Sequence, residues 1–392
     1  MLTVGGAGLM MLTRRRFTSI TIGAGAGAMA STSAQSRARE DFHGIVCVEL
    51  CGGSDGWNMA VPTDHVYETY RAARGPKLAL QRETLVALGG TPFGLHPALK
   101  PLQYAWHHGN LNIALNAGAL IAPITKSVFK KRPDLRPAGA MMHDEGTAYW
   151  RGAAAIDRWK TPDAAPSDPL SEGQGKNLRP PGNTYSERYV SRIVDACFRD
   201  PHSGKTLRSN LSDQLRQAAY QIASSRTSGV PHIVLNVQQT GYDTHTDQAD
   251  PKNPAKGRLA SLLGDLAASL LAFQNAITEL GLARNVTVYT RSEFGRALQA
   301  NDEGGTDHGW GNHHFVLGAA TLPRQIFGTY PDISPGSALD LTGDGRIIPT
   351  LSIEDYIAPI ARWYGLSEQR LVSTFPNPIV PENRERQRSL RS

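Results

Sequence analysis

Residues 43–56 read HGIVCVELCGGSDG, an apolar and β-branched run that ends in three glycines, a serine and an aspartate. A β-rich run of this kind, bounded by a tight turn, is typical of a buried strand. Similar runs occur at Leu111–Leu115, Ile233–Val237 and Val286–Tyr289. The sequence therefore predicts a buried sheet whose strands end in polar loops.

Helical patterns separate these predicted strands. Leu211–Ser224 and Arg258–Leu280 have the length and apolar spacing of amphipathic helices. Strands that alternate with helices predict an α/β fold with a mainly parallel sheet, and ligands of such sheets bind at the carboxyl ends of the strands. The longest apolar segment, Leu259–Phe273, contains Asp265 and has helical spacing, so we expect a packed helix there and no transmembrane anchor.

The N-terminal region has the pattern of an export signal. Residues 13–17 read TRRRF and precede a weakly apolar stretch and the small-residue run AMAS at 28–31. This order is typical of a twin-arginine signal, predicted at residues 1–34, which the twin-arginine translocase would recognise. We expect a periplasmic or extracellular protein with a single domain at residues 41–376. Within it, residues 157–183 are predicted to form a surface excursion, and residues 377–392 a disordered basic tail.

The formal net charge of +6 comes from the ends of the chain. Residues 1–40 contribute +4 and residues 381–392 contribute +2, so the remainder is neutral. A neutral core without a Lys/Arg stripe excludes nucleic acid as an expected partner. Cys47 and Cys51 lie four residues apart on one predicted strand, roughly 13 Å, which is too far for a disulfide, and no disulfide framework is expected.

The loops after the predicted strands carry residue types that bind metal ions. These residues are Asp55 after the first strand, Asp243 and His245 after the third, and Asp307, His308, His313 and His314 after the fourth. Carboxylate and imidazole groups bind Zn, Mn or Fe, and five or six of them would suit two ions. Taken singly, Asp55 could be only a turn residue and His245 only a helix cap. The adjacent Asp307 and His308 lie between glycines and favour a metal site.

Four motifs carry a resemblance to a known family. They are CGGSDGWN at 51–58, YDTH at 242–245, SEFGR at 292–296 and GTDHG at 305–309. Together they resemble the bacterial family known as domain of unknown function 1501, placed within the alkaline-phosphatase-like superfamily. The resemblance covers about residues 45–376. It implies a three-layer α/β/α sandwich with a mainly parallel central sheet.

The resemblance also implies two divalent metal ions, whether Zn, Mn, Ca or Mg. Their ligands would be Asp55, Asp307 and His308 for the first ion, and Asp243, His245 and His313 for the second. His313 is preferred to His314 because it lies closer to the glycine-rich loop, whereas His314 begins an apolar run.

The resemblance also implies a reaction, the hydrolysis of phosphate or sulfate esters. This reaction needs a nucleophile after the second strand, where the chain has Thr125 and Ser127. Neither lies in a phosphatase or sulfatase nucleophile motif, and Thr125 could instead be the N-cap of a helix. Arg296, with Lys126, could hold an anionic ester by charge-assisted hydrogen bonds, or Arg296 could pair with Glu293.

His143, in another polar turn, could add a ligand or line the substrate cleft.

The resemblance, together with the metal-type ligands, leads us to expect one of two functions. The first is a secreted metal-dependent hydrolase that acts on a phosphate or sulfate ester, with an anionic ester as substrate. The second is a non-catalytic secreted binding or surface-assembly protein that would bind a surface polymer and retain the metals as structural cross-links.

Overall fold

The first predicted strand lies inside the main sheet of the protein. The computed structural model describes residues 42–154 and 185–375. The predicted signal at 1–34, the excursion at 157–183 and the tail at 377–392 lie outside the described residues. The described residues belong to one compact unit.

Ten strands and nine α-helices are found in the described part of the chain. The strands are β1 (His43–Cys51), β2 (Ala60–Pro62), β3 (Val86–Ala87), β4 (Phe93–Leu95), β5 (Leu111–Gly118), β6 (His232–Thr240), β7 (Val286–Arg291), β8 (Asn312–Gly318), β9 (Ile326–Phe327) and β10 (Leu351–Ser352). The helices are α1 (Tyr67–Leu78), α2 (Lys100–His107), α3 (Lys126–Lys131), α4 (His143–Ala154), α5 (Tyr185–Cys197), α6 (Asn210–Thr227), α7 (Arg258–Glu279), α8 (Ile353–Tyr364) and α9 (Glu368–Thr374). Each of the four predicted strands and both predicted helices is present.

The main sheet is mostly parallel, as the strand and helix alternation predicted. Its order is β10-β5-β8-β7-β1-β6, and β9 pairs with β5. β1 runs parallel to both β6 and β7, while β8 runs antiparallel to β5 and β7. A small antiparallel sheet, β2-β4-β3, was not predicted.

Alternate side chains of β1 point into two apolar clusters. Val46 and Val48 pack in a cluster that includes residues of α6 and α7. Ile45 and Cys47 pack in another cluster, together with residues of α8. Successive side chains of a strand point to opposite faces, so this division explains the apolar residues on both faces of β1. Glu49 is the buried exception, and its carboxylate accepts a hydrogen bond from Nη2 of Arg291 at 2.9 Å.

Helix α7 accounts for the longest apolar segment of the chain. By length and composition it could cross a membrane, the single such helix among the described residues. Leu263, Leu266, Leu270 and Phe273 are nevertheless buried in the first cluster, against the sheet and its neighbouring helices. Packing inside the fold therefore explains the apolarity of α7, as its helical spacing predicted.

Three neighbouring parallel strands bring their carboxyl ends together. Cys51, the last residue of β1, is in register with Thr240, the last residue of β6. Glu49 of β1 is in register with Arg291, the last residue of β7. The loops that follow these strands therefore leave the same edge of the sheet, where ligands of parallel sheets bind.

Candidate metal centre

Five polar side chains meet near this edge of the sheet. Asp243 and His245 follow β6, Asp307 and His308 lie in the long loop between β7 and β8, and His143 is the first residue of α4. Four of the five were predicted as metal ligands, and His143 was noted as a further possibility. The structure brings all five together, although they come from segments far apart in sequence.

The carboxylate of Asp243 lies at the middle of this cluster. Its Oδ1 is 3.2 Å from Nε2 of His245 and 3.6 Å from Nε2 of His308, and its Oδ2 is 3.8 Å from Nε2 of His143. One ligand atom from each of His143, Asp243 and His308 can be chosen so that all three lie within 4.8 Å of one another. Asp243 is exposed, so the cluster is accessible from solvent.

The orientation of His308 fixes which of its ring nitrogens carries a proton. Its Nδ1 lies 2.9 Å from the carbonyl oxygen of Met141. A carbonyl oxygen can only accept a hydrogen bond, so Nδ1 carries the proton and Nε2 of the neutral ring has a free lone pair. A backbone carbonyl commonly orients metal-binding histidines in this way.

The Nε2 atom of His308 is buried and has no hydrogen-bond partner among the described residues. It faces the carboxylate of Asp243 at 3.6 Å, so two electron-rich groups point at each other. Burial, together with the charge of Arg296, lowers the pKa of His308 and so favours the neutral ring. A cation between Nε2 and the carboxylate would satisfy both groups, which is the arrangement expected of a metal centre.

Arg296 holds Asp243 in place. Its Nη2 donates to Oδ1 of Asp243 at 2.5 Å. Burial raises the pKa of Asp243, but the hydrogen bond and charge of Arg296 outweigh it, and the net pKa is lowered. Asp243 is therefore a carboxylate at neutral pH, as a metal ligand must be.

Asp307 supports the cluster from the side of His245. Its Oδ1 lies 3.5 Å from Nδ1 of His245, and its Oδ2 lies 3.5 Å from Nη2 of Arg346. Asn301 also donates to Oδ1 of Asp307 at 3.3 Å. Burial raises the pKa of Asp307, whereas Asn301, His245 and Arg346 lower it, and the net shift is downward. His245 therefore lies between two ionised carboxylates.

Arg296 does not pair with Glu293. Its side chain is fully buried and donates to the carbonyl oxygens of Gly53 at 2.8 Å, Thr306 at 2.8 Å and Tyr242 at 3.1 Å, and also to that of Gly52. With Asp243 added, these bonds engage the guanidinium on all three nitrogens. The side chain predicted to hold an anionic ester instead ties together the loops that carry the cluster.

Glu293 has a different partner, which the sequence analysis did not identify. The backbone N–H groups of Gly52 and Gly53 donate to its carboxylate at 2.9–3.0 Å. Gly52 and Gly53 have φ values of 112° and 77°, a backbone that favours glycine. The two glycines after β1 therefore form a small anion-binding turn that the Glu293 carboxylate fills.

Asp55, predicted as a metal ligand, is not among the side chains that meet around Asp243. It is fully buried, and its Oδ2 accepts hydrogen bonds from Arg74 of α1 and, at 2.6 Å, from Nε2 of Gln248. Arg74 is also buried and donates to the carbonyl oxygens of Ala297 and Leu298. The charge of Asp55 is therefore balanced by a side chain of the fold.

His313 also lies apart from the cluster. It is in strand β8 and fully buried, its Nδ1 accepts from the backbone N–H of Asn116 at 3.0 Å, and its ring packs against Trp57 and Tyr330. Burial lowers its pKa to about 4. The neighbouring His314 is buried too and stacks on Tyr356. A histidine inside a buried strand is held by the core and not by the loops that carry the cluster.

The two predicted nucleophiles lie at the start of α3. Thr125 is exposed, and its hydroxyl accepts a hydrogen bond from the backbone N–H of Val128 at 3.4 Å, so Thr125 is the N-cap of the helix. Ser127 is exposed in the first turn of the same helix. The capping alternative describes Thr125 in this structure, and neither hydroxyl forms part of the cluster.

Arg74 and Gln248 were missed by the sequence analysis, although one signal was present. Tyr67, Tyr70 and Arg74 are spaced as one face of a helix, and all three are buried. An arginine on the apolar face of a helix indicates a buried partner, which here is Asp55. No comparable pattern marks Gln248, because its loop has no periodicity.

Comparison with known families supports the resemblance seen in the motifs. Residues 200–374 match the family described as "Protein of unknown function (DUF1501)". The match spans somewhat less than half of the chain and includes Asp243, His245, Arg296, Asp307 and His308. No curated protein matches the chain. The family model therefore supports the predicted family without assigning an activity.

Proposed function

We propose that this protein is a metal-dependent hydrolase of phosphate or sulfate esters, with one divalent ion held by His143, Asp243 and His308. The observation that carries the proposal is the buried Nε2 of His308, which has no partner among the described residues and faces the Asp243 carboxylate. Two imidazoles and one carboxylate favour Zn²⁺ or Mn²⁺ over Ca²⁺ and Mg²⁺. We further propose the finer fold assignment, an α/β/α sandwich of the alkaline-phosphatase-like type.

The chemistry divides between the ion and the side chains around it. When bound, the ion would act as a Lewis acid that polarises the ester and makes a water more acidic. Asp243, kept ionised by Arg296, and the oriented ring of His308 would hold the ion. His245 contacts one carboxylate with each ring nitrogen and is half-exposed, so it could transfer a proton at Nε2 or Nδ1. Because Thr125 is a helix cap, we propose water as the nucleophile.

The second predicted ion stays a prediction. Each predicted ligand set has one member away from the cluster, Asp55 in the first set and His313 in the second. The ligands that do meet form one group around Asp243, which is why we propose one ion.

Replacing a ligand should remove the ion without unfolding the protein. We expect His308→Gln and Asp243→Asn each to weaken Zn²⁺ or Mn²⁺ binding by about a hundredfold, because a four-ligand zinc site gains roughly 3 kcal/mol per ligand. Metal content and turnover of a panel of model phosphate and sulfate esters would be measured for each variant. His108→Gln is the control, because His108 is exposed and its ring packs against Tyr104. Full metal occupancy in both ligand variants would contradict the proposed centre.

A second candidate function is a secreted binding or surface-assembly protein with a structural metal. Two observations favour it: Thr125 caps a helix, and Arg296 is engaged by the fold on all of its nitrogens. This candidate predicts bound metal with no hydrolysis of any ester in the panel. Metal loss would then lower thermal stability and nothing else.

We also propose export by the twin-arginine route to the periplasm or beyond. The support is the sequence of residues 13–31, which lie outside the described residues. Changing Arg14 and Arg15 together to Lys should retain the precursor in the cytoplasm, because the translocase recognises the arginine pair. Cell fractionation followed by detection of the cleaved chain would measure this. Undiminished export of the double variant would contradict the proposed location.

A further inference from the structure

Gln248 lies behind the cluster, in the loop between β6 and α7. Its side chain is fully buried. Its Nε2 donates to Oδ2 of Asp55 at 2.6 Å, and its Oε1 accepts from the hydroxyl groups of Thr244 at 2.8 Å and Thr306 at 2.6 Å. The Gln248 amide therefore joins its own loop, which contains Thr244, to the turn that contains Asp55 and to the loop that contains Thr306.

The partners of Gln248 leave its amide group a single orientation. The Asp55 carboxylate can only accept a hydrogen bond, so it must face the amide nitrogen. The two threonine hydroxyls then face the amide oxygen and donate to its two lone pairs. A glutamate at this position would place a second carboxylate against Asp55 in a buried site, which is unfavourable.

The two threonines lie beside the cluster residues. Thr244 lies between Asp243 and His245, and Thr306 directly precedes Asp307 and His308. The same two loops are joined by the backbone hydrogen bond from N–H of Thr306 to the carbonyl oxygen of Thr244, at 3.0 Å. They also approach closely at Gly305, where a Cβ atom would lie 2.2 Å from the carbonyl oxygen of His245. Gln248, like the buried Arg296, forms side-chain hydrogen bonds to both loops.

We propose that Gln248 is a positioning residue that sets the spacing between the Asp243–His245 loop and the Asp307–His308 loop, and through it the affinity for the ion. The inference rests on the proposed metal centre. Asp55, predicted as a ligand, accepts hydrogen bonds from both Arg74 and Gln248. Arg74 holds the Asp55 carboxylate, and the carboxylate in turn orients the Gln248 amide. The buried network thus links the turn after β1 to both loops of the centre.

The test measures binding of Co²⁺, a spectroscopic probe of His and carboxylate sites, to the purified full chain. Gln248→Met keeps the length of the side chain and removes all three hydrogen bonds, and we expect it to weaken Co²⁺ binding at least tenfold. Thr306→Val removes the hydrogen bond from the Thr306 hydroxyl to Gln248 and should weaken Co²⁺ binding less than Gln248→Met does. Thr306→Ser keeps the hydroxyl and should have the Co²⁺ affinity of the wild type. The d–d absorption band should shift in Gln248→Met, because the ligand geometry changes.

The matched control is Asn112→Leu. Asn112 is a fully buried amide that exchanges hydrogen bonds with the backbone of Leu322. It lies near the start of β5, at the opposite edge of the sheet from the cluster. Asn112→Leu should lower stability yet leave Co²⁺ affinity and the absorption band unchanged. Equal loss of affinity in Asn112→Leu and Gln248→Met would overturn the proposal, because general destabilisation would then explain both.

Amide hydrogen exchange of the metal-free protein tests whether Gln248 ties the two loops together, independently of whether the protein binds a metal ion. Gln248→Met should speed exchange in peptides covering residues 242–246 and 303–308, and Asn112→Leu should not. If the wild-type chain binds no Co²⁺, the proposed centre fails, and exchange alone decides whether Gln248 ties the loops. Unchanged exchange in both peptides, or wild-type Co²⁺ affinity in Gln248→Met, would overturn the positioning role. If Gln248→Met does not fold, the Thr306→Val and Thr306→Ser pair provides the same comparison.

Discussion

Arg74→Met is expected to lower the free energy of unfolding by about 3–5 kcal/mol, the usual cost of removing one partner of a buried ion pair. Arg74 and Asp55 are fully buried, and the variant would leave the Asp55 carboxylate without its positive partner. The backbone carbonyls of Ala297 and Leu298 would also lose a donor. Equilibrium denaturation in guanidinium chloride would measure the change.

Two further variants identify the cause. The double variant Asp55→Asn with Arg74→Met leaves no charge in the site and should be more stable than Arg74→Met alone. Arg71→Met, on the same helix, removes the exposed pair between Arg71 and Glu68 and should leave stability unchanged. A change below about 1 kcal/mol in Arg74→Met would contradict a structural role for the pair. Asp55 would then be free for the ligand role that the sequence predicted.

Three of the four predicted strands, β1, β5 and β7, were predictable because they are buried along most of their length. Most residues of β1 are apolar because they pack into two clusters, and such a run is visible in a sequence without any alignment. The small sheet of β2, β3 and β4 was not predictable, because its strands have only two or three residues. No periodicity can be read in so short a segment.

The site was predictable in its residue types and less so in its pairings. Asp243, His245, Asp307 and His308 follow strands or lie between glycines, and parallel strands bring such loops to one edge. Asp55 occupies an equivalent place, yet its partner Arg74 comes from a helix whose position depends on tertiary packing. His313 is close to the ligands in sequence, but β8 begins one residue earlier, so its side chain is fixed inside the sheet. His313 is therefore kept from the cluster by its place in a strand, and Asp55 by its buried partner Arg74.

Arg296→Lys is expected to lower the free energy of unfolding by about 3 kcal/mol or more and to weaken metal binding. Lysine has three donors in place of five and no planar fork, so at least two of the buried acceptors that Arg296 contacts would lose their donor. Each buried acceptor left without a partner costs about 1–3 kcal/mol. Asp243 would also lose its closest partner, so its pKa should rise towards the ordinary value and less of the carboxylate would be available to the ion.

This variant separates the two interpretations of Arg296, because lysine keeps the positive charge. If Arg296 bound an anionic ester, as the sequence predicted, Arg296→Lys would keep the stability and metal content of the wild type and raise KM for the ester. If Arg296 holds the loops, stability and metal affinity fall together whether or not an ester is present. Thermal and chemical denaturation with metal titration would distinguish the outcomes, with Arg132→Lys as the control. Arg132 is exposed, and the hydrogen bonds of its side chain in the described part of the chain go to Asp134, so its replacement should change neither quantity.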